Sequence, residues 1–325
     1  SLANNTTGQR NTGIGQNALN ANTTGSFNTA VGQNCLDSNT TADGNTGVGY
    51  ETLSANTTGS LNVAVGRHAL TTNTTGGSNV ALGEQCMRQN ENGGSNVAIG
   101  QGSLYSNTSA NNNVSIGFNT MISNTTGQNN TAVGTNALDA NTTANSNVAI
   151  GTYSLTNNTT GANNTAVGYN SLADQQTGNN NTAIGISAMK TNSSGSNNAA
   201  VGQDAMNKNT DGDNNAALGA DALKENTTGH RNTACGFQSM VNTTTGNQNT
   251  AIGTQSLTSN QTGSHNTAIG RSALFSNTAN NNVAVGKDCM YSNTSGTQNT
   301  AVGRSCLETN TTAGNNTAMG YGTMG

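Results

Sequence analysis

The chain has 325 residues, of which 31% are hydrophobic, 3% aromatic and 7% charged, with a net charge of −4 and neither Pro nor Trp. An ordinary globular domain has about 45–50% apolar and about 25% charged residues, and disordered chains are rich in the Pro and charge missing here. The few scattered Lys and Arg exclude a nucleic-acid partner, and no apolar run approaches the roughly 20 residues that membrane insertion requires.

The chain begins at Ser1 rather than Met and shows no signal peptide, so it reads as a processed chain or a piece of a longer fibre protein. Leu2 opens it already inside a pattern. Residues 5–15 read NTTGQRNTGIG, residues 22–32 NTTGSFNTAVG and residues 56–66 NTTGSLNVAVG. The last Gly of this motif recurs every seventeen residues from Gly15 to Gly270, once after sixteen at Gly286, then at seventeen to Gly320. Comparing SNTSANNNVSIG, ending at Gly117, with SNTANNNVAVG, ending at Gly286, places the deletion in the Asn-Thr stretch. That stretch is therefore a turn, where deletions are tolerated. Nineteen copies of N-[TV]-A-[VI]-G-x-x-[small]-[LM]-x-x-N-T-T-G-x-x fill residues 1–325 as a single repeat domain. Met324 closes the chain in the Leu/Met column where Leu2 opens it, which predicts either flanking sequence or head-to-tail stacking into a filament.

Each column has a physical reading. The column of Val31, Val65 and Ile99 is apolar throughout, and that of Leu36, Leu70 and Leu104 is always Leu or Met; both are assigned to the core. Two residues before the first of these stands Thr, Val or Ala, which period-two spacing puts on the same strand face. The opposite face then carries Ala30, Ala64, Ala132, Ala166 and Ala200, in a column holding only Ala, Gly or Ser. It reads as a close-packing seam, between sheets or between chains. The Asn column of Asn11, Asn28, Asn45, Asn62, Asn79 and Asn96 has no exception and suits a ladder of amides between stacked rungs about 4.8 Å apart. The Gly after Val turns a corner with positive φ or admits a close backbone, and NTTG reads as an Asx-type turn ending in a left-handed Gly. Two short strands and two turns in seventeen residues make one coil of an all-β fold, a parallel β-solenoid or β-roll of about nineteen coils.

The chemistry-bearing residues fit this frame without a catalytic set. Four of the five Cys (Cys35, Cys86, Cys289, Cys306) replace small residues and Cys235 replaces Val, so they read as small hydrophobes. His68, His230 and His265 lie in variable columns. Asp204 and Asp221 share a column on neighbouring coils, near Asp211 and Asp213, and read as surface charges rather than a cation site. No cofactor or metal is implied. The aromatics Tyr50, Phe118, Tyr169, Phe237 and Tyr321 follow the corner Gly, where a partner or a sugar could meet them.

NTAVGxxAL and NVAIGxxSL resemble the head repeat of trimeric autotransporter adhesins, the YadA-like heads, with units such as SVAIGxxAxAxG. The repeats also look like the shafts of phage and viral tail fibres that carry a C-terminal intramolecular chaperone domain. The resemblance covers all nineteen copies and implies a left-handed parallel β-roll assembled as a homotrimer. The present unit is longer, with the excess in the NTTG turn. The expectation is thus a non-enzymatic structural or adhesive segment of an extracellular fibre, self-associating and facing a cell-surface glycan or receptor. The competing expectation is an ice- or glycan-binding solenoid. Ice binding needs outward Thr in a regular array, and placing the strand Thr on the core face argues against it.

Overall fold

The computed structural model describes residues 1–323; Met324, and with it the reading of the C-terminal Leu/Met position, lies outside them. The protein is an all-β parallel β-solenoid with seventeen-residue coils, and no helix occurs among the described residues. Two compact units are distinguished, Ser1–Asn163 and Asn164–Gly325.

The first unit contains nine strands, each of three residues, from Thr12–Ile14 to Val148–Ile150. Every strand pairs in parallel with the next and in register, so that Thr12 lies opposite Thr29 and Ile14 opposite Val31. The same register persists to the pairing of Thr131–Val133 with Val148–Ile150. The second unit repeats the arrangement with ten strands, from Thr165–Val167 to Thr317–Met319. There the one-residue deletion leaves the sheet untouched: Thr267 pairs with Val283 and Ile269 with Val285. The turn absorbs it, since the Asn277 side chain donates to the carbonyl two residues on, at Ala279, instead of three.

The coil has one three-residue strand, and the rest is a succession of turns. These turns still carry hydrogen bonds from rung to rung. Asn34 N–H reaches Gln16 in the preceding coil (2.9 Å), Leu36 N–H reaches Thr52 in the following one (3.0 Å), and Phe27 N–H reaches Gln9 (2.9 Å). The donors in these bonds share a left-handed backbone: Asn34 has φ 55°, Leu36 φ 52° and Phe27 φ 62°. An L residue adopts this region at a cost. Here the cost is offset because the conformation turns each N–H onto a neighbouring coil, and a buried unpaired N–H would cost more. The two exposed left-handed columns are accordingly rich in Asn, with Asp and His at several places, residues that tolerate this conformation better than most. The Leu/Met column accepts it to bring its side chain inward: Leu36, Leu70 and Leu104 are fully buried.

The corner glycines combine both constraints proposed for them. Gly134 has φ +135°, and a Cβ there would lie 2.7 Å from the carbonyl carbon of Gly151 on the next coil. The glycine of NTTG differs from the expectation. Gly25 and Gly127 are not in the left-handed region, which is why Ala42, Ala110 and Ala144 can stand in that column.

Two buried Asn columns hold the turns. Each predicted ladder Asn acts through the backbone as well as through amides. The Asn28 Oδ1 accepts the N–H of Asn45 (2.9 Å), while its Nδ2 donates to the carbonyl of Ala42 (2.8 Å). Asn11, Asn45, Asn62 and Asn79 repeat this pattern, and Asn96 lies in the same buried column. Direct amide-to-amide bonds occur in this column at several rungs, as from Asn62 Nδ2 to Asn45 Oδ1 and from Asn96 Nδ2 to Asn79 Oδ1 (both 3.2 Å), and the Asn of NTTG forms a second amide ladder. Asn39 Nδ2 donates to Asn22 Oδ1 (2.8 Å) and Asn73 Nδ2 to Asn56 Oδ1 (2.8 Å), while each also closes its own turn onto the carbonyl three residues later. In the second unit this ladder is broken at Thr243, where the Thr243 hydroxyl and the Asn226 Oδ1 are buried without partners.

Candidate functional site

A strand of three residues has one inward and two outward side chains, because successive residues face opposite sides of a sheet. Which two face outward decides what the molecule presents. The middle residue is the inward one. Ala30, Ala64, Ala132, Ala166 and Ala200 are each 0% exposed within a single chain. The predicted seam is therefore the interior of the coil itself, and its smallness follows from how thin that interior is. At Gly47 a Cβ would lie 2.6 Å from the Sγ of Cys35. Ser115, the one hydroxyl in the column, is satisfied by Ser103 Oγ (2.7 Å) and by the carbonyl of Thr120 (2.9 Å).

The core assignment of Val31, Val65 and Ile99 is corrected by the same geometry. These residues and their column point outward: Val65 is 40% exposed, Leu218 54% and Ile14 59%, and Val31 and Ile99 are half-buried. The Thr/Val column accompanies them outward, so the argument that strand Thr faces the core also falls. The interior is built instead from the Ala column, the Leu/Met column and the small residues before Leu/Met, such as Ala18, Cys35 and Ala69. The regular clue was present in the repeat. A middle position confined to Ala, Gly and Ser fits a cramped interior, whereas its neighbours vary in bulk.

The outward face of each unit thus carries two rows of side chains. In the first unit both rows are apolar over four successive strands: Val63 with Val65, Val80 with Leu82, Val97 with Ile99, and Val114 with Ile116. In the second unit Thr dominates the first row, and the second row remains apolar from Val167 to Met319. Ala199 and Ala216 there take the place of Thr or Val and leave a shallow, almost wholly apolar hollow of about 320 Å³, walled by Val201, Leu218, Thr233 and Cys235.

The other candidate residues are distributed differently. Tyr50, Phe118, Tyr169, Phe237 and Tyr321 are all exposed, but within each unit they are not gathered: four coils separate Tyr50 from Phe118 in the first, and four or five separate Tyr169, Phe237 and Tyr321 in the second. Tyr50 meets the His68 ring edge-on at 5.4 Å, and the Arg304 guanidinium lies over the Tyr321 ring at 5.7 Å. Between Asp204 and Asp221 sits Lys224, its Nζ 2.8 Å from Asp221 and 3.8 Å from Asp204. Those two carboxylates therefore already have a cation. Burial pushes the thiols of Cys35 and Cys86 up to about 12, which keeps them protonated and unreactive near neutrality. Cys235 alone among the five is half-exposed, on the outward face.

No protein-family model matches the chain, and no curated protein matches it.

Proposed function

We propose that the chain is a non-enzymatic structural segment of an extracellular fibre, and that copies associate through the outward strand face, three copies making the assembly. The observation that carries this reading is the outermost row. In nineteen strands the third residue is Val, Ile, Leu, Cys or Met and never polar, although it faces away from the chain's own core. Free surface rows accumulate Lys, Glu, Ser and Asn, and contiguous exposed apolar patches mark interaction sites. A row that excludes polar residues over so many independent copies is covered in the working molecule. A second copy is the natural cover, since it brings a row of the same spacing, and an exposed Val or Ile withdrawn from water contributes about 1 kcal/mol or more.

Sedimentation equilibrium of the chain tests this. The expected mass is a multiple of the monomer, and the pair Val65→Asp with Ile99→Asp returns it to the monomer. A single-chain mass for the unaltered protein at tens of micromolar would overturn the proposal.

A second reading gains from the corrected geometry. Outward Thr at fixed spacing, eleven of nineteen first positions, is the arrangement an ice-binding face requires. Six Val, two Ala and an adjoining row without Thr interrupt that array, and so the fibre reading is favoured. Thermal hysteresis in the purified protein would reverse the preference.

A further inference from the structure

In the second unit, the variable pair of residues before the strand Asn changes character over four successive coils: Asp213-Asn214, His230-Arg231, Asn247-Gln248 and Ser264-His265. In the rest of the second unit the same pair is uncharged, as in Asn179-Asn180, Ser196-Asn197 and Thr297-Gln298. These residues line a cleft of about 420 Å³ on the turn that leads into the strands.

The backbone determines which atoms remain available there. The first residue of each pair accepts a hydrogen bond from the N–H of its counterpart in the preceding coil. Ser196 N–H donates to Asp213 Oδ1 (2.7 Å), Asp213 N–H to His230 Nδ1 (2.9 Å), His230 N–H to Asn247 Oδ1 (2.7 Å), and Asn247 N–H to Ser264 Oγ (3.0 Å). The ladder therefore consumes acceptors and leaves donors. With Nδ1 accepting, the neutral His230 ring carries its proton on Nε2. With Oδ1 accepting, the Asn247 amide has its NH₂ to offer. Arg231 makes no ion pair among the described residues, and its guanidinium presents a planar fork suited to a carboxylate. The one acid lining the cleft, Asp213, is an acceptor for hydroxyls and repels densely charged anions. Four rungs spaced about 4.8 Å apart extend the site to about 14 Å, longer than a single small anion fills.

We propose that this cleft binds an acidic saccharide, with Arg231 holding its carboxylate and His230, Asn247 and Gln248 bonding its hydroxyl and ring oxygens. The site is complete within one chain and does not need the self-association proposed above.

Isothermal titration with short oligogalacturonates tests it, alongside a neutral oligosaccharide of equal length, acetate and inorganic phosphate. The oligogalacturonate is expected to bind in the millimolar range or tighter, and at least about tenfold more tightly than the other three. Arg231→Gln should weaken it by at least about tenfold with the fold intact, since Gln248 and Gln298 occupy the same left-handed column at φ 56° and 60°. Equal binding of acetate or phosphate, equal binding of the neutral sugar, undiminished binding by the Gln variant, or no heat at 10-fold molar excess in the millimolar range would each overturn the assignment. The mass of the complex, followed separately by sedimentation, keeps a failure here distinct from a failure of assembly.

Discussion

The inward and outward rows of the strands both exclude charge, and they do so for opposite reasons. The inward row is restricted in size. It accepts Ala, Gly and a single hydrogen-bonded Ser, all without solvent exposure or nearly so where Ala or Ser is present along the middle of each unit. The outward apolar row is unrestricted in size, running from Cys235 through Val201 and Leu218 to Met319, yet it admits nothing polar. Restriction by volume is the mark of a closed interior, where density approaches that of an organic crystal. Restriction by polarity alone marks a surface covered by something that can adapt its shape, such as another protein copy. The two rows sit one residue apart, so substitutions at adjacent positions should separate the two kinds of constraint.

The largest effect is expected from the inward row. Ala132→Leu adds three carbons to a position with no exposure. Overpacking of this kind costs about 1–3 kcal/mol, and it should appear as a clear fall in the urea midpoint of the first unit. Ala132→Ser should be far milder, because Ser115 occupies the equivalent place on the preceding strand with its hydroxyl satisfied. On the outward row the expectation reverses. Val65→Asp and Ile99→Asp should change monomer stability by about 1 kcal/mol or less while abolishing association. Circular dichroism that stays unchanged as the mass falls would separate the two rows; simultaneous loss of both signals would mean that the outward row also serves the fold.

Much of the coil could be read from the repeat, and the part that could not has a definite cause. The period, the Leu/Met interior, the corner Gly and the deletion-tolerant turn each depend on one column's chemistry, and a column is visible in sequence. Which strand face is interior depends on the width of the coil, and its one trace in the sequence is the confinement of the Ala30 column to Ala, Gly and Ser. Val31 and Ala30 are equally apolar by composition, and a preference for burying the larger residue pointed the wrong way. The Asn of NTTG was read as a turn former, and it is one; its second role in the amide ladder needs the stacking distance between Asn22 and Asn39. The left-handed Leu column was hidden because Leu seldom adopts that conformation. The cleft at His230 depends on neighbours seventeen residues apart lying side by side, and in the linear sequence those histidines look isolated.

A smaller effect sharpens the contrast through pH. Cys35 and Cys86 are inward, and desolvation by burial raises their thiols from an ordinary 9.0 to about 12. The unfolded chain ionises near the lower value and the folded chain near the higher. Their contribution to stability is therefore whole below about pH 9 and is lost as pH climbs towards about 12. Urea midpoints measured at pH 8 and pH 11 should fall further in the unaltered protein than in Cys35→Ala with Cys86→Ala, where Ala is already the commonest residue of the column. An identical fall in both proteins would show that these two thiols do not govern alkaline unfolding.

The least disruptive probe uses the cysteines as they stand, since the chain has placed the same side chain on both faces. Cys86 is fully buried, and its Sγ lies 3.1 Å from the carbonyl oxygen of Ala98. Cys235 is half-exposed at the wall of the apolar hollow formed by Ala199, Ala216 and Leu218. Thiol reactivity follows the thiolate fraction and access, so a disulfide reagent at pH 8 should find one fast site in the monomeric Val65→Asp, Ile99→Asp protein, and peptide mapping should place it at Cys235. Nothing about folding stability need change for this to be seen. In the assembled protein the strand face is covered, and the same thiol should react at least about tenfold more slowly, by analogy with the protection that closed states give to buried groups. Equal rates in the two proteins would show that whatever covers the first unit's face does not extend to Cys235. A fast second site at Cys86 would contradict the interior itself.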